Sequence, residues 1–266
     1  MMVWIVLLAP LWGGFILGAE RKIRAHMQHR MGPPLLQPFY DMAKLMQKRT
    51  TIIHSGHALL ALGYFVTLWI AVGVVLLDGN VLWAIFIHLL ASVLLVTAGF
   101  SVPSIFSHVG ANRELLAIVS YEPILLLLGV AWYVSSGSWE SGAIALGGTY
   151  WTSMPLLGVA LLMVVLLKTG KSPFDMAHAH QEIVGGVEVE YSGIFYEVLY
   201  MARFLEYIFI YAFVFLWGGV VAVALFFVLA NLIDNATARL TPAQTVRWFY
   251  ALGLPLALLN LLGLVA

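Results

Sequence analysis

Residues 171–193 read KSPFDMAHAHQEIVGGVEVEYSG and gather Asp175, Glu182, Glu188 and Glu190 with His178 and His180. Carboxylates and imidazoles at this density can bind a metal, exchange protons or face a charged partner. On a helix, His178 and His180 point about 160° apart, so they cannot chelate one ion, and no third ligand is evident. Proton exchange near the ordinary imidazole pKa of about 6.5 is the better chemistry. Ser172 and Pro173 read as an N-cap and first helical residue, which puts Asp175 at the reciprocal position of a capping box. If that helix continues, Asp175, His178 and Glu182 lie within about 60° of one another. Gly185 and Gly186 then end it, and an extended GVEVEYSG sets Glu188 and Glu190 on one side. Plain surface solvation is the alternative for that pair.

A second set of titratable residues lies inside apolar runs: His88, Glu114, Glu122, Glu197, Arg203 and Glu206. A charge at mid-bilayer costs about 2.5 to 3.5 kcal/mol on insertion scales, so each needs a partner or a purpose. Arg203 and Glu206 are i,i+3 neighbours that can neutralise one another. Glu114, beside Arg113, reads as a helix-dipole partner, and His88 as a hydrogen-bonded packing residue. Glu122, in VSYEP, and Glu197 have no sequence-local cation and are candidates for protonatable sites on a polar path. Pro123 also removes a backbone donor and leaves a carbonyl free one turn earlier.

The elements that must hold these groups follow from composition. The chain is 62% hydrophobic and 10% charged, with a mean hydropathy of +0.96. That exceeds what one globular core can bury, so the expected class is an all-α integral membrane protein. Net charge is +0, which gives no general attraction to nucleic acid. Cysteine is absent, excluding disulfides and thiolate-ligated metals or clusters within the chain. Apolar runs of bilayer length predict about eight transmembrane helices in one membrane domain, over 2–19, 57–77, 81–103, 114–134, 152–168, 194–216, 219–234 and 244–265. The first run reads as a retained helix with its N-terminus outside, because Arg21, Lys22 and Arg24 follow it. Loops 20–56, 104–113, 169–193 and 235–243 are then cytoplasmic, and every Lys and Arg except Arg203 falls in or beside them.

Within the first of these loops, LLQPFYDMAKLMQK places Leu35, Leu36, Phe39, Met42, Ala43 and Met46 on one side of a helix. Gln37, Asp41, Lys44, Gln47 and Lys48 fall opposite, which is the pattern of an amphipathic helix lying in the membrane interface. Such a helix can also wall a cytoplasmic partner. No internal repeat of the kind that marks many transporters is visible.

The sequence resembles the membrane subunit 1 of respiratory complex I and its relatives in energy-converting nickel–iron hydrogenases and formate hydrogenlyases. The resemblance rests on Glu20-Arg21-Lys22, RMGPPLLQPFYDMAKL, Arg113 with Ser120-Tyr121-Glu122, and SPFDMAHAHQEIVGGVEVEYSG. It covers residues 1 to about 207, and the last two spans match only as apolar helices.

This resemblance implies a non-catalytic, ion-coupling subunit in the inner membrane, with Glu122, Glu182, Glu190, Asp175, His178, Glu197, Arg203 and Glu206 as its coupling residues. Arg30, Gln37, Asp41, Lys44, His180 and Glu188 would meet the peripheral arm. The chain itself would carry no cofactor. A nickel–iron centre and iron–sulfur clusters would sit in hydrogenase-like large and small subunits and an iron–sulfur subunit, with antiporter-like subunits alongside in the bilayer. Arg30 to Pro38 lacks the insertion that complex I relatives carry, and is similar to the hydrogenase branch. His178 and His180 replace carboxylates, and Arg203 replaces a glutamate, which argues against carrying over a quinone site. The alternatives are a quinone-chamber subunit of an NADH:quinone oxidoreductase and a stand-alone ion transporter; the moving ion is H⁺ or Na⁺.

Overall fold

A computed structural model describes residues 2–177 and 180–265. Helices run in the order α1 (Met2–Leu7), α2 (Ala9–Met27), α3 (Gln37–Met46), α4 (Ser55–Leu76), α5 (Val81–Phe100), α6 (Ile105–Ser136), α7 (Ser141–Leu146), α8 (Pro155–Lys168) and α9 (His180–Ile183). A 3₁₀ turn over Gly186–Glu190 precedes α10 (Ile194–Ala236), and α11 (Pro242–Trp248) joins α12 (Leu254–Val265) through a π-helical turn at Phe249–Gly253. Among the described residues there is no strand, only an isolated bridge between Asn80 and Glu140. Five helical stretches are long and apolar enough to cross a membrane: α4, α5, α6, α10 and the run from α11 to α12.

Sequence signals account for most of these limits. Asn80 caps α5, its Oδ1 accepting from Leu82 N at 2.9 Å and Trp83 N at 3.3 Å. Thr241 and Gln244 form a reciprocal capping box on α11. Met154 has no side chain to cap α8; instead Asn260 reaches across from α12 and accepts from Leu157 N at 3.0 Å. Bulky apolar side chains, among them Trp132, Phe204, Phe209 and Phe213, fill the core between these helices.

Three expected boundaries change. The first run is broken at Leu8, and α2 then continues to Met27, so Glu20, Arg21 and Arg24 stand on a helix rather than in a loop. Helix α6 begins at Ile105, which makes most of the expected loop 104–113 helical and places Glu114 well inside the helix rather than at its N-terminus. The sixth and seventh expected spans form one 43-residue helix, α10, interrupted at Gly219, whose φ of 69° and ψ of −165° belong to a region essentially confined to glycine. The carbonyls near this break are already used. Trp217 O accepts from Tyr150 N at 2.8 Å, and Gly218 O from the Trp151 indole at 3.0 Å.

Helix α3 forms as expected from its pattern but is turned differently. Pro38 and Leu45 are buried and Asp41 and Met42 half-buried, an i, i+3, i+4, i+7 face laid against α2 and α10. Leu35 and Leu36, just before the helix, and Met46 at its end remain exposed. Asp41, expected on the outward polar face, therefore points inward.

Candidate functional site

The segment 169–193 departs from its sequence reading. No helix forms over 172–177, and Asp175 is not a capping residue: its Oδ2 accepts from Arg239 at 2.6 Å. Ser172 N donates to Asp234 Oδ1 at 2.9 Å and Leu240 N to Pro173 O at 2.9 Å, tying this stretch to the end of α10 and the connection beyond it. The expected shared face of Asp175, His178 and Glu182 is therefore lost, and His178 lies outside the described residues. Glu182 pairs instead with Arg113 at 2.6 Å, with Arg239 at 3.9 Å on its other oxygen. Residues 186–190 form a 3₁₀ turn rather than an extended strand. At about 120° per residue, this separates Glu188 from Glu190 around the axis. Glu188 turns inward to Arg203 at 2.9 Å, away from the docking surface expected of it, while Glu190 is half-buried.

Two glycines fix the height of this turn over the bundle. A Cβ on Gly110 of α6 would lie 2.6 Å from Gly186 Cα and Val187 N, so the two backbones touch. Gly186 also has a φ of 54°, which an L side chain rarely adopts.

Beneath the turn, a narrow polar cavity of about 40 Å³ is lined by Tyr64, Ser92, Glu114, Tyr121, Lys168, Glu188, Arg203 and Glu206, with apolar neighbours. That volume has room for about two or three waters. Glu206 is its most fully engaged group. Its carboxylate accepts from Lys168 Nζ at 3.0 Å, Tyr64 OH at 3.2 Å and His88 Nε2 at 3.1 Å. The Lys168 ammonium also lies 4.8 Å from the centroid of the Tyr121 ring, whose hydroxyl meets Ser92 at 3.0 Å. The expected mutual pair of Arg203 and Glu206 does not form. Each takes a cation or anion from another element, since a buried charge is tolerated only with close, well-placed partners. His88 does pack as expected, stacked on Phe209 at 4.3 Å while bonded to Glu206.

Next to this cavity lies a more open chamber of about 360 Å³, lined by Glu20, Arg21, Arg24, Lys168, Asp175, Gln181, Arg203, Tyr207 and Arg239, among others, with Leu17 its only aliphatic wall. Lys168 and Arg203 belong to the walls of both spaces. The chamber is braced by a second ion network. Fully buried Lys171 donates to Glu20 at 2.9 Å and to Asn231 at 3.0 Å, while Arg24 bridges Glu20 at 3.3 Å and Asp234 at 2.6 Å. Burial pushes the Lys171 ammonium below the ordinary lysine value, although Glu20 works against the shift.

Other expected site residues stand apart. Glu122 is buried at 6% exposure, and neither of its oxygens has a hydrogen-bond donor among the described residues. The carbonyl that Pro123 leaves free, Val119 O, accepts from Tyr250 OH at 3.2 Å, beside the π turn of the last helical run. Glu197 is buried near the start of α10, and its Oε1 likewise lacks a donor among the described residues. Of the residues expected to meet a partner, Arg30 and Lys44 are exposed, His180 opens α9, and Gln37 donates to Asp41 at 2.9 Å. The sequence reading did not single out Tyr64, Lys168, Lys171, Asp234 or Arg239 as site residues. Their one local signal is charge or polarity at the edge of an apolar run, which does not disclose a partner far away in the chain.

Asp41 carries a pH prediction. Burial raises its pKa, but hydrogen bonds from Arg21 at 2.8 Å and from Gln37 outweigh this and leave it below the ordinary 3.8. A carboxylate with a depressed folded pKa contributes stability that is complete above the unfolded value and lost as pH falls through the folded one. Asp41→Asn is therefore expected to unfold at a lower temperature than the native chain at pH 5 and above, and the gap should shrink below about pH 4. A gap independent of pH in thermal melts would count against the pairing.

The family model described as NADH dehydrogenase matches residues 1–265. A bacterial relative, an NADH-quinone oxidoreductase membrane component of Ruthia magnifica, is 28% identical over 234 residues, which is 79% of this chain and 63% of that protein. NADH-ubiquinone oxidoreductase chain 1 of Chondrus crispus is 30% identical over 71% of this chain and 65% of its own length, and that of Hyaloraphidium curvatum 30% over 73% of each. The chain thus spans less than two thirds of the Ruthia and Chondrus proteins. A chain from the membrane-bound sulfane sulfur reductase, an archaeal respiratory membrane complex, shares the fold with a TM-score of 0.85 at 20% identity, covering 98% of this chain and 97% of that one.

Proposed function

The chain belongs to the NADH dehydrogenase family, and from that premise we propose that it is a non-catalytic, ion-coupling membrane subunit of a complex I-like respiratory complex of the hydrogenase type. The observation that carries this reading is Glu206, held by Lys168, His88 and Tyr64 in a closed polar cavity that shares Lys168 and Arg203 with the charged chamber. Two unit charges about 8 Å apart interact by about 2 kcal/mol at an effective dielectric of about 20. A tenfold change in proton occupancy needs only about 1.4 kcal/mol. A charge change presented at the chamber by a redox partner can therefore alter protonation in the cavity, and Glu206 can pass that change to buried carboxylates such as Glu122.

In this reading the basic loops face the cytoplasm, where Arg30, Lys44 and the segment around His180 and Glu190 meet the peripheral arm. Nickel–iron and iron–sulfur centres belong to hydrogenase-like and iron–sulfur partners, and antiporter-like subunits flank the chain in the inner membrane. The uninterrupted RMGPPLLQP supports the hydrogenase branch. A quinone is mostly hydrocarbon, and the chamber's lining of arginines, lysine and carboxylates does not fit one. A stand-alone transporter would need open carbonyls at a broken helix, and those near Gly219 are occupied.

Affinity purification through this chain, followed by metal and lipid-extract analysis, tests the reading. Nickel and iron should copurify stoichiometrically, with quinone well below one per complex. Stoichiometric quinone without nickel would establish the NADH:quinone alternative, and ion flux by the isolated chain would establish the transporter.

A further inference from the structure

A smaller pocket of about 290 Å³ opens beside the end of α2, lined by Arg21, Arg24, Ala25, Arg30, Gly32 and Pro33. We propose that it binds the phosphate headgroup of an anionic membrane lipid.

Charge gives the first argument. Arg21 and Arg24 are matched by Asp41, Glu20 and Asp234. Arg30 meets only the neutral Gln28 side chain, and neither it nor the exposed Lys22 meets a carboxylate among the described residues. The pocket therefore keeps two cations in excess.

The pocket is also built rather than incidental. Gln28, which holds Arg30, donates to Asn235 at the end of α10 at 2.8 Å, and Arg30 N donates to Ala25 O at 2.8 Å. Gly32, with a φ of 71°, lets the chain fold back onto Ala25: a Cβ there would stand 2.7 Å from the alanine methyl and 3.5 Å from Lys22 Cα.

Position selects a lipid over a soluble anion. From Ala9 at 1.5 Å per residue, α2 has risen roughly 24 Å by Ala25, which puts the pocket at headgroup height of a hydrocarbon layer about 30 Å thick. Next to it, Met31 is 93% exposed and Leu35 and Leu36 are also exposed, an apolar strip suited to acyl chains and ill-suited to a hydrated protein face. Basic pockets at this depth gain about 1 kcal/mol per Lys or Arg from anionic lipid.

The test uses the intact complex, delipidated in a neutral detergent and titrated with phosphatidylglycerol or phosphatidylcholine, with bound lipid counted by native mass spectrometry. One phosphatidylglycerol is expected to bind preferentially. The double variant Lys22→Gln with Arg30→Gln, both exposed positions, should weaken it about tenfold or more, and Arg30→Lys should keep most of the binding. Equal affinity for phosphatidylcholine, or unchanged binding in the double variant, overturns the proposal. Displacement by millimolar inorganic phosphate would identify a free-anion site instead, and loss of a partner polypeptide rather than of lipid would identify a protein interface. Both outcomes also overturn it.

Discussion

Glu206→Gln is expected to reduce ion pumping by the assembled complex in vesicles by more than tenfold, while hydrogen chemistry of the partner subunits with an artificial electron carrier continues. Glutamine keeps the shape of the carboxylate but cannot carry its charge, and it leaves the Lys168 ammonium buried without its closest anion. Removing one member of a buried ion pair typically costs about 3 to 5 kcal/mol, so thermal stability should fall as well. A second variant separates the two effects. Glu206→Leu combined with Lys168→Met removes both charges, and replacing a buried pair by apolar groups of similar volume is often neutral or stabilising. The double variant should therefore melt near the native temperature and still fail to pump. Full pumping stoichiometry in this stable double variant would remove the cavity from the coupling path. Glu122→Gln is the complementary case: with no donor bonded to either oxygen among the described residues, it should cost little stability, and retained full stoichiometry would exclude Glu122 alone.

The second large effect is expected at Gly110, a position with no titratable chemistry. Valine there would drive side-chain atoms into the backbone of Gly186 and Val187, which cannot rotate away as a flexible side chain could. Overpacking of this kind commonly costs about 1 to 3 kcal/mol, and the 3₁₀ turn over α6 can escape it only by lifting. Lifting breaks Glu188 from Arg203 and Glu182 from Arg113 together. The expected result is protease cleavage within 180–193 and loss of coupled turnover, with the helical bundle retained. A protected turn and native coupling in Gly110→Val would mean that the contact does not position the site.

Particular residues show how far local pattern reaches. The apolar runs over 57–77, 81–103 and 244–265 correspond closely to helices, because hydropathy summed over some twenty residues reports one neighbour, lipid. The π turn at Phe249–Gly253 has no such signature. The chain's polar segment was placed by its sequence near the coupling surface, yet its expected helix over 172–177 did not form. Long-range bonds from Arg239, Asp234 and Leu240 outcompete a cap that could offer only local ones.

Composition, span length, the basic loops and the motifs from Glu20 to Tyr191 determined class and family without a structure, since each depends on residues near one another in the chain. Tertiary structure alone decided which charges are partners. Arg203 and Glu206, a turn apart, ignore each other for Glu188 and Lys168, and Glu20 meets Lys171 across most of the chain's length. In a low-dielectric interior the strongest interaction goes to whichever charge the packed helices bring within about 3 Å, and sequence spacing does not encode that distance.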